Sequence, residues 1–143
     1  MVKALALVGG DLALGDGGYR QITGAARIRQ DLALALAEPY GHDPYHPEYG
    51  SVLNAYIGEP LTDELEMLVR SEVVRVVQQY VAAQQAGIAA DALSGARARY
   101  SHQDVVRQVE SINTEISFDV LRVMVSIRTQ SGATVRIVRT VDL

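Results

Sequence analysis

Val120-Leu-Arg-Val-Met-Val-Ser-Ile-Arg-Thr-Gln-Ser-Gly-Ala-Thr-Val-Arg-Ile-Val-Arg-Thr-Val-Asp-Leu143 is the stretch whose period decides the fold. Leu121, Val123, Val125 and Ile127 alternate with Arg122, Ser126 and Arg128. A strand sends successive side chains to opposite faces, so this pattern reads as a strand with one buried face. Gln130-Ser-Gly-Ala133 reads as a hairpin turn, and Val135, Ile137 and Val141 then alternate with Thr134, Arg136 and Thr140. Upstream, Ile116, Phe118 and Val120 keep the same period. Val105, Val106, Val109 and Ile112 suit a helix or a strand and are read here as a strand. The C-terminal third is therefore expected to be a small antiparallel meander.

Toward the N-terminus the period changes. Residues 82–100 are rich in alanine and carry Gly87 and Gly95, which suggests a loop with one short helix inserted at 82–104. Before it, Leu65, Leu68, Val69, Val73, Val76, Val77 and Tyr80 form a long helical stripe. Thr62 suits its N-cap, and Asp63 and Glu64 suit the positive end of its dipole. Val52, Leu53, Tyr56 and Ile57 predict a short helical piece that stops at Gly58. Ala25 to Glu38 is an amphipathic helix with Ile28, Leu32, Ala35 and Leu36 on one face. Pro39 ends it, because a residue that precedes proline is driven from the α region. The loop Tyr40–Tyr49 holds Pro44 and Pro47, which fix φ and lack a donor, so it cannot be a regular element. Gly15-Asp16-Gly17-Gly18 reads as a turn, with Tyr19 and Ile22 in a short extended piece after it. The apolar run near Met1 is short and followed by Asp11, so Val2, Leu5 and Leu7 are expected in a short buried strand rather than a signal peptide. Helices in the first half and strands in the second give an α+β class. Amphipathic helices cover one face of a mostly antiparallel sheet, short strands lie at the N-terminus, and residues 1–143 form a single domain.

Composition removes several functions. The chain has 143 residues, enough for one domain that buries about two-thirds of its unfolded surface. It has no cysteine, which excludes disulfide staples and cysteine-ligated metal centres. The net charge is −4 and the basic residues are scattered, so the basic stripe of a nucleic-acid binder is missing. No stretch approaches the ~20 apolar residues of a membrane span. His42, Asp43, His46 and Glu48 offer metal-ligand types, but no further histidine follows at a ligand spacing, and they read as loop polar groups. Asp11 and Asp16 lack the alternating acids of a calcium loop. Glu38, Glu48 and Glu59 could supply a carboxylate pair for glycoside hydrolysis, yet there is no tryptophan and one phenylalanine to stack a sugar. No enzymatic activity, cofactor or metal is expected.

Two regions remain as partner-binding candidates. Tyr45 and Tyr49 sit on the proline-stiffened loop, where tyrosine buries large area at small entropic cost. Val135, Arg136, Ile137, Val138 and Arg139 lie in the last strand, expected at a sheet edge with unpaired backbone groups. Arg136 and Arg139 would either blunt that edge or frame a site for strand addition.

The order of these features resembles the baseplate-wedge and sheath-initiator family of contractile injection systems. The resemblance rests on Asp11-Leu12, Gly15-Asp16-Gly17-Gly18, Ile22-Thr23-Gly24, Gln30 in the first helix, and Pro47-Glu48-Tyr49-Gly50 before the apolar stretch Val52–Ile57. The long helix and the strand meander complete it. Many members carry a Glu-Pro-Arg between long helix and sheet, and here the alanine-rich segment 82–104 stands in that place. The resemblance implies a structural protein of a virion tail baseplate, or of a phage-like particle, assembled in the bacterial cytoplasm. Its partners would be the tail sheath protein, whose arm would add to the terminal strand, Thr134 to Thr140, or its neighbour. Baseplate wedge and tube-proximal proteins would meet the Tyr45–Tyr49 loop. A lysozyme-like cell-wall enzyme and a small regulatory adaptor on the same fold are the competing readings.

Overall fold

The computed structural model describes residues 1–142. Its C-terminal sheet holds β7 (Val106–Ser117), β8 (Val120–Thr129) and β9 (Thr134–Asp142) in the order β7-β8-β9, all antiparallel. Ahead of it come α1 (Gly24–Ala37), a 3-10 helix (Leu53–Tyr56) and α2 (Asp63–Ser94). The alternation of β8 and β9 sorts the sheet as expected. Leu121, Val123, Val125, Ile127, Val135, Ile137 and Val141 are buried, while Arg122, Arg128, Arg136 and Val138 face solvent. Both helices lie on the buried face, α1 against β9 and α2 against β7, and one cluster joins Ile28, Leu32, Leu36, Val69, Val73 and Val77 to the strands. The fold is α+β, with the sheet covered on one side.

The alanine-rich segment differs from its expected form. Residues 82–94 are not a loop with a short helix; they continue α2, which ends at Gly95 with φ 65. Alanine is the best helix former, so this run needs no apolar stripe to stay helical. The chain after Gly95 then folds back along the helix. Asp91 holds Arg99 at 2.8 Å, and Tyr100 lies so close to Gly87 that a Cβ there would stand 3.1 Å from its hydroxyl. Gln84 is buried and spans two segments: its Nε2 donates to Asp104 O at 2.6 Å, and its Oε1 accepts from Val106 N–H at 2.8 Å. Segment 82–104 is thus tied into the core and sets where β7 starts.

The hairpin between β7 and β8 also departs from the sequence pattern. The period through Ile116, Phe118 and Val120 runs across a turn, because Ser117 pairs with Val120 and leaves Phe118 and Asp119 as its two central residues. Phe118 has φ 56, the chain's one non-glycine residue with positive φ among those described, and is 97% exposed. A two-residue hairpin with positive φ at its first position only is the II′ pattern, which favours glycine there. Phe118→Gly is expected to raise stability by about 1 kcal/mol, since strain is relieved and no burial is lost. A lower melting temperature in the variant would contradict this.

Short strands form the N-terminus as expected, six of two residues each, although Leu5 is exposed rather than buried: β1 (Ala4–Leu5), β2 (Leu7–Val8), β3 (Asp11–Leu12), β4 (Leu14–Gly15), β5 (Gly18–Tyr19) and β6 (Gln21–Ile22). β1 pairs with β6, β2 with β3, and β4 with β5, so each of the stretches 4–8, 11–15 and 18–22 pairs with both others. Their middle residues close a ring. Ala6 N–H donates to Arg20 O at 2.8 Å, Arg20 N–H to Ala13 O at 2.9 Å, and Ala13 N–H to Ala6 O at 2.9 Å. Gln30 of α1 docks this module by accepting from Leu7 N–H and donating to Leu5 O, both at 2.8 Å.

Candidate functional site: an open strand edge

Hydrogen bonding at the β8–β9 turn fixes which groups of β9 are free. Thr129 N–H donates to Ala133 O at 2.9 Å, and the register runs without a shift from Arg128↔Thr134 to Val120↔Asp142. Bonded and non-bonded pairs alternate along an antiparallel ladder. Val135, Ile137, Arg139 and Val141 therefore direct their backbone groups into β8. Thr134, Arg136, Val138, Thr140 and Asp142 direct theirs away from the sheet. Among the described residues no other hydrogen bond reaches these outward groups. The opposite edge is less regular, since β7 shifts register between Val106 and Gln108 and again between Val109 and Ser111. Such bulges twist an edge and blunt it against pairing. β9 carries no bulge, no proline and no lysine.

The candidate residues of β9 divide by face. Val135 and Ile137 are core residues whose side chains a partner cannot reach. Arg136 and Val138, the latter 57% exposed, stand on the outer face beside the free backbone groups. Arg139 turns the other way and donates to Asn54 Oδ1 at 3.3 Å, while Asn54 Nδ2 donates to Ala37 O at 3.2 Å. The two arginines do not frame one surface; Arg139 ties β9 to the 3-10 helix.

The proline-tyrosine loop is held by a clamp from α2. Arg75 donates to Gly50 O at 2.8 Å and to both oxygens of the buried Glu72, and lies over the Tyr40 ring at 4.9 Å. Glu72 also accepts from Val52 N–H at 2.9 Å. Gly50 has φ 100, and a Cβ there would stand 2.6 Å from Glu38 O, so the Pro-x-x-Gly motif marks a close crossing of backbone at the end of α1. Tyr49 lines an open groove of about 480 Å³ between α1 and α2 with Ala35, Val76, Tyr80 and Ala83, and burial pushes its hydroxyl pKa up. Tyr45 is 87% exposed and touches no part of this groove. The histidines do not converge: His42 bonds Glu38 at 2.8 Å and His46 bonds Asp43 at 2.9 Å, which holds the Asp43 carboxyl below its usual range. Among the described residues no group of three His, Asp or Glu side chains is placed to hold a metal ion, and no helix is long and apolar enough to cross a membrane.

The Arg75 hydrogen bonds lower the Glu72 pKa from 4.5 against the effect of burial. A carboxylate with a depressed folded pKa adds stability that is full above the unfolded value and lost as pH falls through the folded one. Protection of the amides in residues 39–52, taken relative to the intrinsic exchange rate at each pH, is therefore expected to fall as the pH drops below the ordinary glutamate range. Glu72→Gln should remove that step, and an identical acid response in the variant would count against the clamp.

Compared with family models, with curated proteins and with solved structures, the chain finds no match. Two exposed features escaped the sequence reading. Phe118 was hidden by a period that continues through its turn. The apolar side chains of Leu5, Leu12, Leu14 and Tyr19 lie exposed on the N-terminal module, where a buried strand was expected. The signal that could have revealed the module is the recurrence of Leu5-Ala6-Leu7 as Leu12-Ala13-Leu14 at a spacing of seven.

Proposed function

We propose that this chain is an assembly protein of a contractile injection particle, a baseplate component that nucleates the tail sheath by accepting a strand on β9. The observation that carries this reading is the unbulged edge with the outward backbone groups of Thr134, Arg136, Val138, Thr140 and Asp142. A rigid, prepaired edge lowers the ordering cost of an incoming arm, so the first sheath ring grows on it in preference to free solution. The sheath arm meets Arg136 and Val138 on the outer face. The Tyr45–Tyr49 loop, fixed by Arg75 and Gly50, meets wedge or tube-proximal neighbours. On this reading the molecule works in the baseplate and catalyses nothing.

Purified sheath subunit from the same particle, mixed with the chain, tests the proposal. Sheath growth should start faster and give polymers capped by the chain at one end. Val138→Pro should abolish seeding. Unchanged sheath kinetics with the native chain, or full seeding by the proline variant, would overturn the reading.

A further inference from the structure

We infer that, in the absence of a partner, β9 pairs with β9 of a second copy across a two-fold axis at Val138. An edge of nine residues without proline, lysine or bulge is a template for another strand. The identity of the occupant follows from the pairing rules. Only residues with outward backbone groups can form bonded pairs, so even-numbered residues must face even-numbered ones. Three antiparallel registers then use most of the strand, with centres at Ile137, Val138 or Arg139.

Chemistry separates the three. Centred on Arg139, the axis sets Arg136 opposite Asp142, but it places Arg139 opposite its own copy, a like-charge pair, and pairs only residues 136–142 of the strand. Centred on Ile137, the pairing leaves Asp142 without a neighbour and gives Arg136 only Val138. Centred on Val138, all of Thr134–Asp142 is paired. Val138 meets Val138 of the second copy, Thr134 meets Asp142, and Arg136 meets Thr140 with Asp142 on its diagonal, within reach of a long side chain. The outer face then carries Arg136 and Asp142 from each strand and no net charge. On the inner face Val135 stands in register with Val141 and Ile137 with Arg139, their side chains staying in each copy's own core. The exposed valine at the middle of the strand thus lies at the axis, where self-pairing covers it most fully.

Self-pairing occupies the same backbone groups that strand addition needs. It deepens the proposed function by making edge opening a condition for seeding, although the pairing itself stands without that function. Sedimentation equilibrium of the native chain from about 1 to about 200 µM tests it, and a monomer–dimer equilibrium is expected. Val138→Pro removes an outward N–H without touching β8, a place where an edge strand accepts proline. That variant should be monomeric with its melting temperature kept. Arg136→Asp should raise the dimer dissociation constant about tenfold, and adding Asp142→Arg should restore it. A native chain that stays monomeric, a dimer that survives Val138→Pro, or a charge swap without rescue would each overturn the inference. A monomeric native chain that still seeds sheath growth would sink self-pairing alone. A dimer that behaves as described but never seeds would sink the sheath reading alone.

Discussion

Asp104→Ala is expected to destabilise the protein by roughly 3–5 kcal/mol, because it strips the anchor from a buried polar cluster. Asp104 is fully buried. One carboxylate oxygen accepts Gly24 N–H at 2.9 Å, and the other accepts Ser101 N–H at 3.0 Å and Ser101 Oγ–H at 2.6 Å. Arg27, itself buried, has Nη1 4.0 Å from the same carboxylate and bonds Asp31 at 3.0 Å. Burial alone would raise the Asp104 pKa, but the hydrogen bonds from Ser101 and Gly24 outweigh it and bring the value below 3.8. Its stability contribution is thus complete above the ordinary aspartate value and lost as pH falls through the lowered one. Removing the carboxylate leaves these donors and the Arg27 charge without their acceptor. Asp104→Asn should fall between native and alanine, as it keeps the shape and one acceptor. Urea unfolding measures both, and a loss under about 1 kcal/mol for alanine would refute the role assigned to the cluster.

Ile137→Pro and Val138→Pro should differ by several kcal/mol although they are neighbours. Ile137 pairs with Val125, directs its N–H into β8 and is buried. Proline there deletes a rung of the central ladder and removes a core side chain, a loss of more than about 4 kcal/mol. The variant is expected to be unfolded or insoluble. Val138→Pro spends only an outward N–H and should stay within about 1 kcal/mol of native. Circular dichroism and thermal melts of the pair decide it. Equal damage at both positions would mean that the ladder parity of β9 is wrong. Loss of assembly in Ile137→Pro would carry no information about a partner, whereas the same loss in Val138→Pro would.

The strand meander was legible because its side chains obey a period of two over an unbroken register, and the Gln130–Ala133 turn carries its glycine at Gly132. The first helix, its stop at Pro39 and the Thr62 cap were legible for similar reasons: each depends on residues adjacent in sequence. Three things were not. The alanine-rich half of α2 lacks an apolar stripe, because polar bonds hold it, Gln84 to Asp104 and Val106 and Asp91 to Arg99, with Tyr100 against Gly87. The N-terminal strands were expected, but their pairing was not, because two residues are too few for a period to register. The hairpin at Phe118 carries an apolar residue where turn chemistry calls for glycine. At the candidate site, the presence of an edge was readable, but its division into inward and outward residues was not. That division follows from a single bond at Thr129, which the sequence does not announce.

The ring formed by Ala6, Ala13 and Arg20 bears on how the molecule comes apart. Each of the three stretches needs both of the others, so none can persist alone, and the module must form or open as one unit. Among its residues only Ala6 is buried, and two bonds from Gln30 fasten it to α1. A region with so little buried surface lies at the low end of the local stability scale. The first 22 residues will therefore exchange their amide protons together, well before β8. A Gln30→Ala chain should release them while the sheet, and the edge it presents, stays folded.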